Sequence, residues 1–263
     1  MFTAGQNLLS SPGIAKRPNM ISSAKSIAKG IAPKWVVRLM KGYSSRPGMR
    51  RRGSPRALHP LGAHFFSRGT PVDRYYIERF LHRQAGCIRG HVLEIADRNY
   101  TTQFGGPRVE QSDVLHVVSG NSNATIVGNL ETGEGVPEGV YDCIILTQTL
   151  LCIYDVQSAI LNTHKALRNG GTVLVTVPGI SQICRPDFDL WGDYWRFTTL
   201  SARRLFENVF GEGNVDVESH GNVLVTAGFL NNLAVDEFSR KELDFNDSNY
   251  QLLITVLARK KEA

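Results

Sequence analysis

The sequence predicts a doubly wound α/β fold, and three observations predict it. Short apolar segments alternate with amphipathic helical ones from about residue 70 onward, which is the signature of βα units around a parallel sheet. One segment, Tyr141 to Leu146, is a nearly continuous apolar run, as expected of a strand covered on both faces. Gly, Pro and acidic residues punctuate the ends of the apolar segments, and ligands of such sheets bind beyond the carboxyl ends of the strands.

The elements follow in order. Asp73 to Gln84 carries Tyr76, Ile77, Phe80 and Leu81 on one helical face, with Asp73 read as its N-cap. His91 to Ile95 is a first strand. A second runs from Val109 to Ser112 and ends at Asp113, and a third covers Ala124 to Val127. Tyr141 to Leu146 is the fourth. A helix then carries Val156, Ile160, Thr163 and Leu167 at helical spacing, and Gly170-Gly171 are read as its stop. Thr172 to Val177 is a fifth strand, halted by Pro178-Gly179. Leu200 to Phe210 is a helix with Ala202, Leu205, Phe206 and Val209 inward, and Tyr250 to Ala258 is a closing strand.

Composition divides the chain in two. It has 263 residues, 42% of them hydrophobic and 21% charged, which suits a globular body and excludes collagen-like or wholly disordered chains. Residues 1–72 hold 13 Lys and Arg and no acid, while residues 73–263 hold 17 Lys and Arg against 24 acids. The formal net charge of +6 therefore belongs to the N-terminal segment, and the body is acidic. Residues 1–60 hold 8 Ser, 6 Gly and 6 Pro, a composition that buries too little apolar surface to offset chain entropy. We read 1–60 as a basic, largely disordered extension and 61–263 as the folded domain.

Within the extension, residues 33–43 place Trp35, Val36, Leu39, Met40 and Tyr43 on one helical face and Lys34, Arg38 and Lys41 elsewhere. Two readings stand: a helix lying on anionic lipid, or one packed on the body or simply solvated. The Ser- and Arg-rich, acid-free stretch also resembles an organellar transit peptide, and no secretory h-region follows the first residues. The expected location is cytoplasmic, with a peripheral membrane contact through residues 33–43. Cys87, Cys143, Cys152 and Cys184 form no C-x-x-C pair, so reduced thiols are expected and no cysteine zinc site. No H-x-x-x-H spacing occurs, and no metal is expected.

The blocks Val92-Leu93-Glu94-Ile95, Tyr141-Asp142-Cys143-Ile144-Ile145-Leu146, residues 166–171 and residues 173–178 come in the order found in class I S-adenosylmethionine-dependent methyltransferases, which this sequence resembles over roughly residues 65–260. The blocks Arg68 to Glu78 and Trp191 to Thr198 resemble a bacterial subgroup associated with glycosyltransferases and surface polysaccharide. The resemblance implies a Rossmann-like methyltransferase sheet, mostly parallel, with an antiparallel strand near the C-terminus. It implies S-adenosylmethionine as cofactor, with Glu94 and Asp97 near its methionine moiety and Asp113 on the ribose. Asn129 and Leu130 match the adenine side, Thr147 and Gln148 the methionine side, and Tyr76 contacts the methionine carboxylate from the N-terminal helix. Ala96, Arg98 and Tyr100 stand where the family has glycines, which implies a reshaped or longer loop with Gly105-Gly106 as its flexible part.

The segment from Pro178 to Thr198 is the expected acceptor region. Its aromatic residues and carboxylates suit a sugar, with rings stacking on the apolar face and acids bonding hydroxyls. Asp193 is the candidate base and Arg196 the acceptor anchor. The opposing reading makes Trp195 and Phe197 core residues and pairs Arg196 with Asp193. His116 is a candidate lining residue and His164 a structural one.

The expected function is methyl transfer to an oxygen of a sugar, glycan or other small molecule, with a glycosyltransferase as the expected partner. The alternative is a non-catalytic, methyltransferase-like binding or scaffold protein of a polysaccharide assembly system. Nucleic acid ranks last among partners, because the body is acidic.

Overall fold

The computed structural model describes residues 58–262. The readings of residues 1–57, including the segment 33–43, lie outside the described residues. Among them, no helix is long and apolar enough to cross a membrane.

Seven strands form one sheet in the order β3-β2-β1-β4-β5-β7-β6. They are β1 (Gly90–Ile95), β2 (Val109–His116), β3 (Ile126–Val127), β4 (Tyr141–Thr147), β5 (Leu167–Pro178), β6 (Val215–His220) and β7 (Leu253–Arg259). The first five pair in parallel. β7 lies antiparallel between β5 and β6, so the sheet is mostly parallel with an antiparallel closing strand, as expected.

Helices cover both faces. On one side lie α2 (Val156–Ala166) and α4 (Thr199–Phe210), whose Ala159, Ile160, Ala202 and Phe206 pack on Ile144, Val173, Val175 and Val256. On the other lie α1 (Val72–Arg83), α5 (Val223–Leu230) and α6 (Arg240–Asp244), which pack Ile77, Leu81, Phe229 and Leu243 on Val92, Ile145, Leu174 and Leu257. A short helix, α3 (Arg185–Leu190), belongs to the segment after β5. The fully buried stretch of β4 and β5 explains why those two strands read as continuous apolar runs.

Several boundaries correct the sequence reading. β2 runs through Asp113 to His116. β3 is two residues long. α1 has Pro71 at its N-cap, and Asp73 lies in the first turn, accepting the Arg74 N–H at 2.9 Å. α2 ends at Ala166, before Gly170-Gly171, because the chain enters β5 at Leu167. Lys260 Nζ closes that end by donating to the His164 and Leu167 carbonyls at 3.0 and 2.7 Å. α4 begins one residue early, under a capping box in which Thr198 and Ser201 bond each other's backbone N–H.

Candidate active site

From β1 the chain passes outward to β2 and β3, then returns to pair β4 with β1. The crevice beyond the carboxyl ends of β1 and β4 is therefore the topological switch point, where an open α/β sheet binds its ligand.

The loop leaving β1 is built without glycine. Ala96 adopts φ 69°, the left-handed region that L side chains rarely enter. Its N–H donates to Leu115 O at 3.0 Å and its carbonyl accepts from Asn121 Nδ2 at 2.8 Å. The connection to β2 is compressed into a single π-turn, Thr101–Gly105. The expected longer loop is thus a tight one. Gly105 is not a flexible joint, because an added Cβ would collide with Val109 and Ile88.

Glu94 anchors this turn. Its carboxylate accepts the Tyr100 N–H at 3.1 Å, the Thr101 N–H at 2.7 Å and the Thr101 hydroxyl at 2.7 Å. Burial pushes its pKa up to about 7, against the pull of those three donors. Asp97, at the mouth of the loop, accepts the Asn99 N–H at 2.9 Å through Oδ1.

Asp113 is placed differently from the expectation. It stands opposite Leu93, three residues short of the strand end. Its carboxylate meets His91 Nε2 at 2.7 Å and accepts the Thr125 hydroxyl at 2.8 Å, with the Tyr141 hydroxyl at 3.4 Å. These partners make it a fixture of the sheet, and the residue at the end of β2 is His116. His116 Nδ1 lies 2.8 Å from the Val118 carbonyl. That contact assigns the proton to Nδ1 and leaves Nε2 as an acceptor. Its ring meets Trp191 edge-on, with centroids 5.3 Å apart.

Asn129 Oδ1 accepts the Glu131 N–H at 2.8 Å and closes its own turn. Leu130 is buried in the core, and its carbonyl accepts from Asn162 Nδ2 at 2.9 Å. Thr147 ends β4 against Thr176. Gln148 follows with φ 50°, its N–H bonded to Thr176 O at 2.9 Å. Tyr76 is far from its expected role. It is buried, its hydroxyl donates to Leu243 O at 2.9 Å, and its ring stacks on His220 at 5.5 Å.

The segment after β5 carries the expected aromatic residues, and its charged pair holds it together. The Asp193 side chain is fully buried. Its oxygens receive the Arg196 guanidinium and the Cys184 N–H, the latter at 3.0 Å. Burial alone would raise its pKa, but Arg196 and the Cys184 N–H outweigh it and hold the carboxyl below the ordinary range. Arg196 also donates to the carbonyls of Ser181 at 3.3 Å, Gln182 at 2.8 Å and Trp195 at 2.8 Å. This pair therefore folds the segment, and neither partner is left to act as base or acceptor anchor.

Of the aromatic residues, Phe197 is core, while Trp191, Tyr194 and Trp195 are exposed. Tyr154, from the loop between β4 and α2, joins them with centroids 5.5 Å from Tyr194 and 6.0 Å from Trp195. Trp195 Nε1 donates to Ile153 O at 3.0 Å, which fixes the indole and leaves a ring surface outward. Sequence reasoning missed Tyr154, because the pair that joins it lies in a different loop of the sequence. His164 is structural, with its ring packed edge-on to Phe210 at 4.9 Å. The four cysteines are free thiols.

No protein-family profile matches this sequence, and no curated protein matches it. Solved structures do. The protein YcgJ from Bacillus subtilis is 15% identical over 72% of this chain and 100% of its own, at TM-score 0.44. An S-adenosylmethionine-dependent methyltransferase from Archaeoglobus fulgidus is 10% identical over 71% of this chain and 94% of its own, at TM-score 0.48. A phosphoethanolamine N-methyltransferase from Haemonchus contortus, solved with S-adenosylhomocysteine, is 12% identical over 73% of this chain and 54% of its own, at TM-score 0.47. These are likenesses of chain path, and no residue role is taken from them.

Proposed function

We propose that this chain transfers a methyl group from S-adenosylmethionine to an oxygen of a sugar, glycan or other small hydroxylated molecule. The observation that carries the reading is the reversal of strand order at β1 and β4, with the sequence blocks of the resemblance at those same strand ends. The donor set in reach fits a nucleoside with an amino-acid tail. Asp97 suits the ammonium, His116 Nε2 accepts a ribose hydroxyl, and Thr147 and Gln148 flank the tail. Glu94, Asp113 and Asn129 hold the fold instead. The cofactor supplies an electrophilic methyl on a sulfonium.

The protein's part is then mainly positioning, bringing the acceptor oxygen into line at the carboxyl end of the sheet. The ring faces of Tyr154, Tyr194 and Trp195 suit the apolar face of a sugar. A glycosyltransferase, the partner implied by the resemblance, supplies such an acceptor.

Calorimetric titration of the full chain with S-adenosylmethionine and S-adenosylhomocysteine tests the donor half. Micromolar binding is expected, weakened about tenfold in His116→Ala, the worth of one lost hydrogen bond. A folded chain that binds neither compound overturns the reading and returns the protein to a binding or scaffold role. Transfer of labelled methyl to nucleotide sugars and glycans tests the acceptor half. Trp195→Ala should raise the acceptor KM by roughly three- to tenfold while leaving donor affinity unchanged.

A further inference from the structure

Helix α5 is apolar on every side. Its eight residues, Val223–Leu230, include no charged side chain. The inner face, with Val225 and Phe229, is buried in the layer formed with α1 and α6. The outer face carries Val223, Leu224, Ala227 and Leu230, at a spacing that puts all four on one side. Val223 is 56% exposed and Leu224 49%. A helix apolar all round normally lies within a protein or in hydrocarbon, and one at an aqueous surface turns polar residues outward. This one turns leucine and valine outward.

A second observation concerns where the chain enters the fold. The Gly62 N–H donates to Asn231 O at 3.0 Å, and Asn232 Nδ2 donates to Gly62 O at 2.9 Å. Phe65 packs against Phe229 with ring centroids 5.5 Å apart. The segment preceding the described fold is thus attached at the C-terminal turn of α5. In the same entering stretch, Leu58 and Phe66 are exposed. Residues 1–57 carry 12 Lys and Arg, from Lys16 to Arg56, and no acid. The densest positive charge of the protein is therefore tethered beside its barest apolar helix.

We infer that the outer face of α5 and the basic segment joined beside it form one docking surface for an anionic lipid bilayer. Apolar side chains enter the boundary between headgroups and acyl chains, and Lys and Arg meet the acidic headgroups. Neither partner interaction is strong alone, and membrane attachment generally takes two such signals. The chain's own residues 33–43 fit the face less well. The positive charge spans far more sequence than an eight-residue helix can cover, and α5 has no acidic side chain to receive it. This inference does not depend on the methyl-transfer reading.

Co-sedimentation of the full chain with vesicles tests it. One set is phosphatidylcholine alone, and the other contains phosphatidylserine as well. The expected result is binding to the second set only, weakened by salt, and reduced about tenfold in Leu224→Glu/Leu230→Glu. The milder Ala227→Glu should reduce binding in the same direction. Circular dichroism and the thermal midpoint report that both variants keep the fold, as expected for exposed positions. No binding to anionic vesicles overturns the inference. So does undiminished binding by the folded α5 variants, which would assign attachment to the basic segment alone. Protease protection of residues 33–43 without lipid, lost in the α5 variants, would make that segment the occupant and overturn it equally.

Discussion

Ala96 is held in a left-handed conformation from both sides, its N–H on β2 and its carbonyl on Asn121. An L residue there is strained by roughly 1–2 kcal/mol, and glycine offsets part of its relief through greater chain entropy. Ala96→Gly should therefore stabilise the protein by about 1 kcal/mol in urea unfolding. Asp113 makes the opposite case. Asp113→Ala leaves His91 and Thr125 without their partner and should cost about 2–3 kcal/mol, while folded variant protein keeps donor affinity. A parallel loss of affinity in that variant, with His116→Ala silent, would reverse the assignments of the two residues. The sequence placed Asp113 at a strand end because an acid inside a parallel sheet is costly without partners. Its partners come from positions 91, 125 and 141, and no local pattern announces that meeting.

At the scale of elements, the buried Asp193–Arg196 pair ties together the segment from Ser181 to Trp195. Removing one member of a buried pair leaves an uncompensated charge, so Arg196→Met should destabilise by about 3 kcal/mol. Urea unfolding would check this, and a variant that unfolds at the wild-type midpoint would free the pair for another role. The aromatic residues and carboxylates of this segment were legible in the sequence, but their division of labour was not. Both the catalytic and the structural readings use the same residue types, and only the Cys184 N–H and the three backbone carbonyls decide between them. Strands β4 and β5 were legible because burial on both faces leaves an unmistakable apolar run. The end of α2 was not, because its stop is a lysine from the far end of the domain.

At the scale of the molecule, two buried groups set opposing pH dependences. Burial raises Glu94 from 4.5 to about 7. Its contribution to stability is complete below its unfolded pKa and is lost as pH rises through 7. Burial lowers His220 from 6.5 to about 4, with Glu218 pulling upward and Arg83 and Arg79 downward. Its contribution is complete above its unfolded pKa and is lost as pH falls through 4. Each gives a slope of up to about 1.4 kcal/mol per pH unit, and the slopes cancel where the windows overlap. The wild-type contribution of the two sites should be nearly flat between pH 4.5 and 6.5. Glu94→Gln should expose stability rising with pH across that range, and His220→Gln stability falling with it. Urea midpoints at half-unit pH steps would check both, and parallel profiles for the two variants would contradict the assignment. The acidic body and basic N-terminal segment could be counted from sequence, but these two groups acquire their behaviour only from burial.

The position of β7 also bears on how the protein is assembled. This strand, late in the chain, sits between β5 and β6, so β6 has no neighbour until β7 arrives. During synthesis the first five strands can pair as they emerge, while β6 and its helix α5 wait as an unsealed flap. Until closure, one side of β5 is an open edge able to pair with a strand from another chain. The slow, aggregation-exposed step in folding is then the insertion of Leu253–Arg259, a long-range pairing whose loop-closure entropy must be met before any contact rewards it.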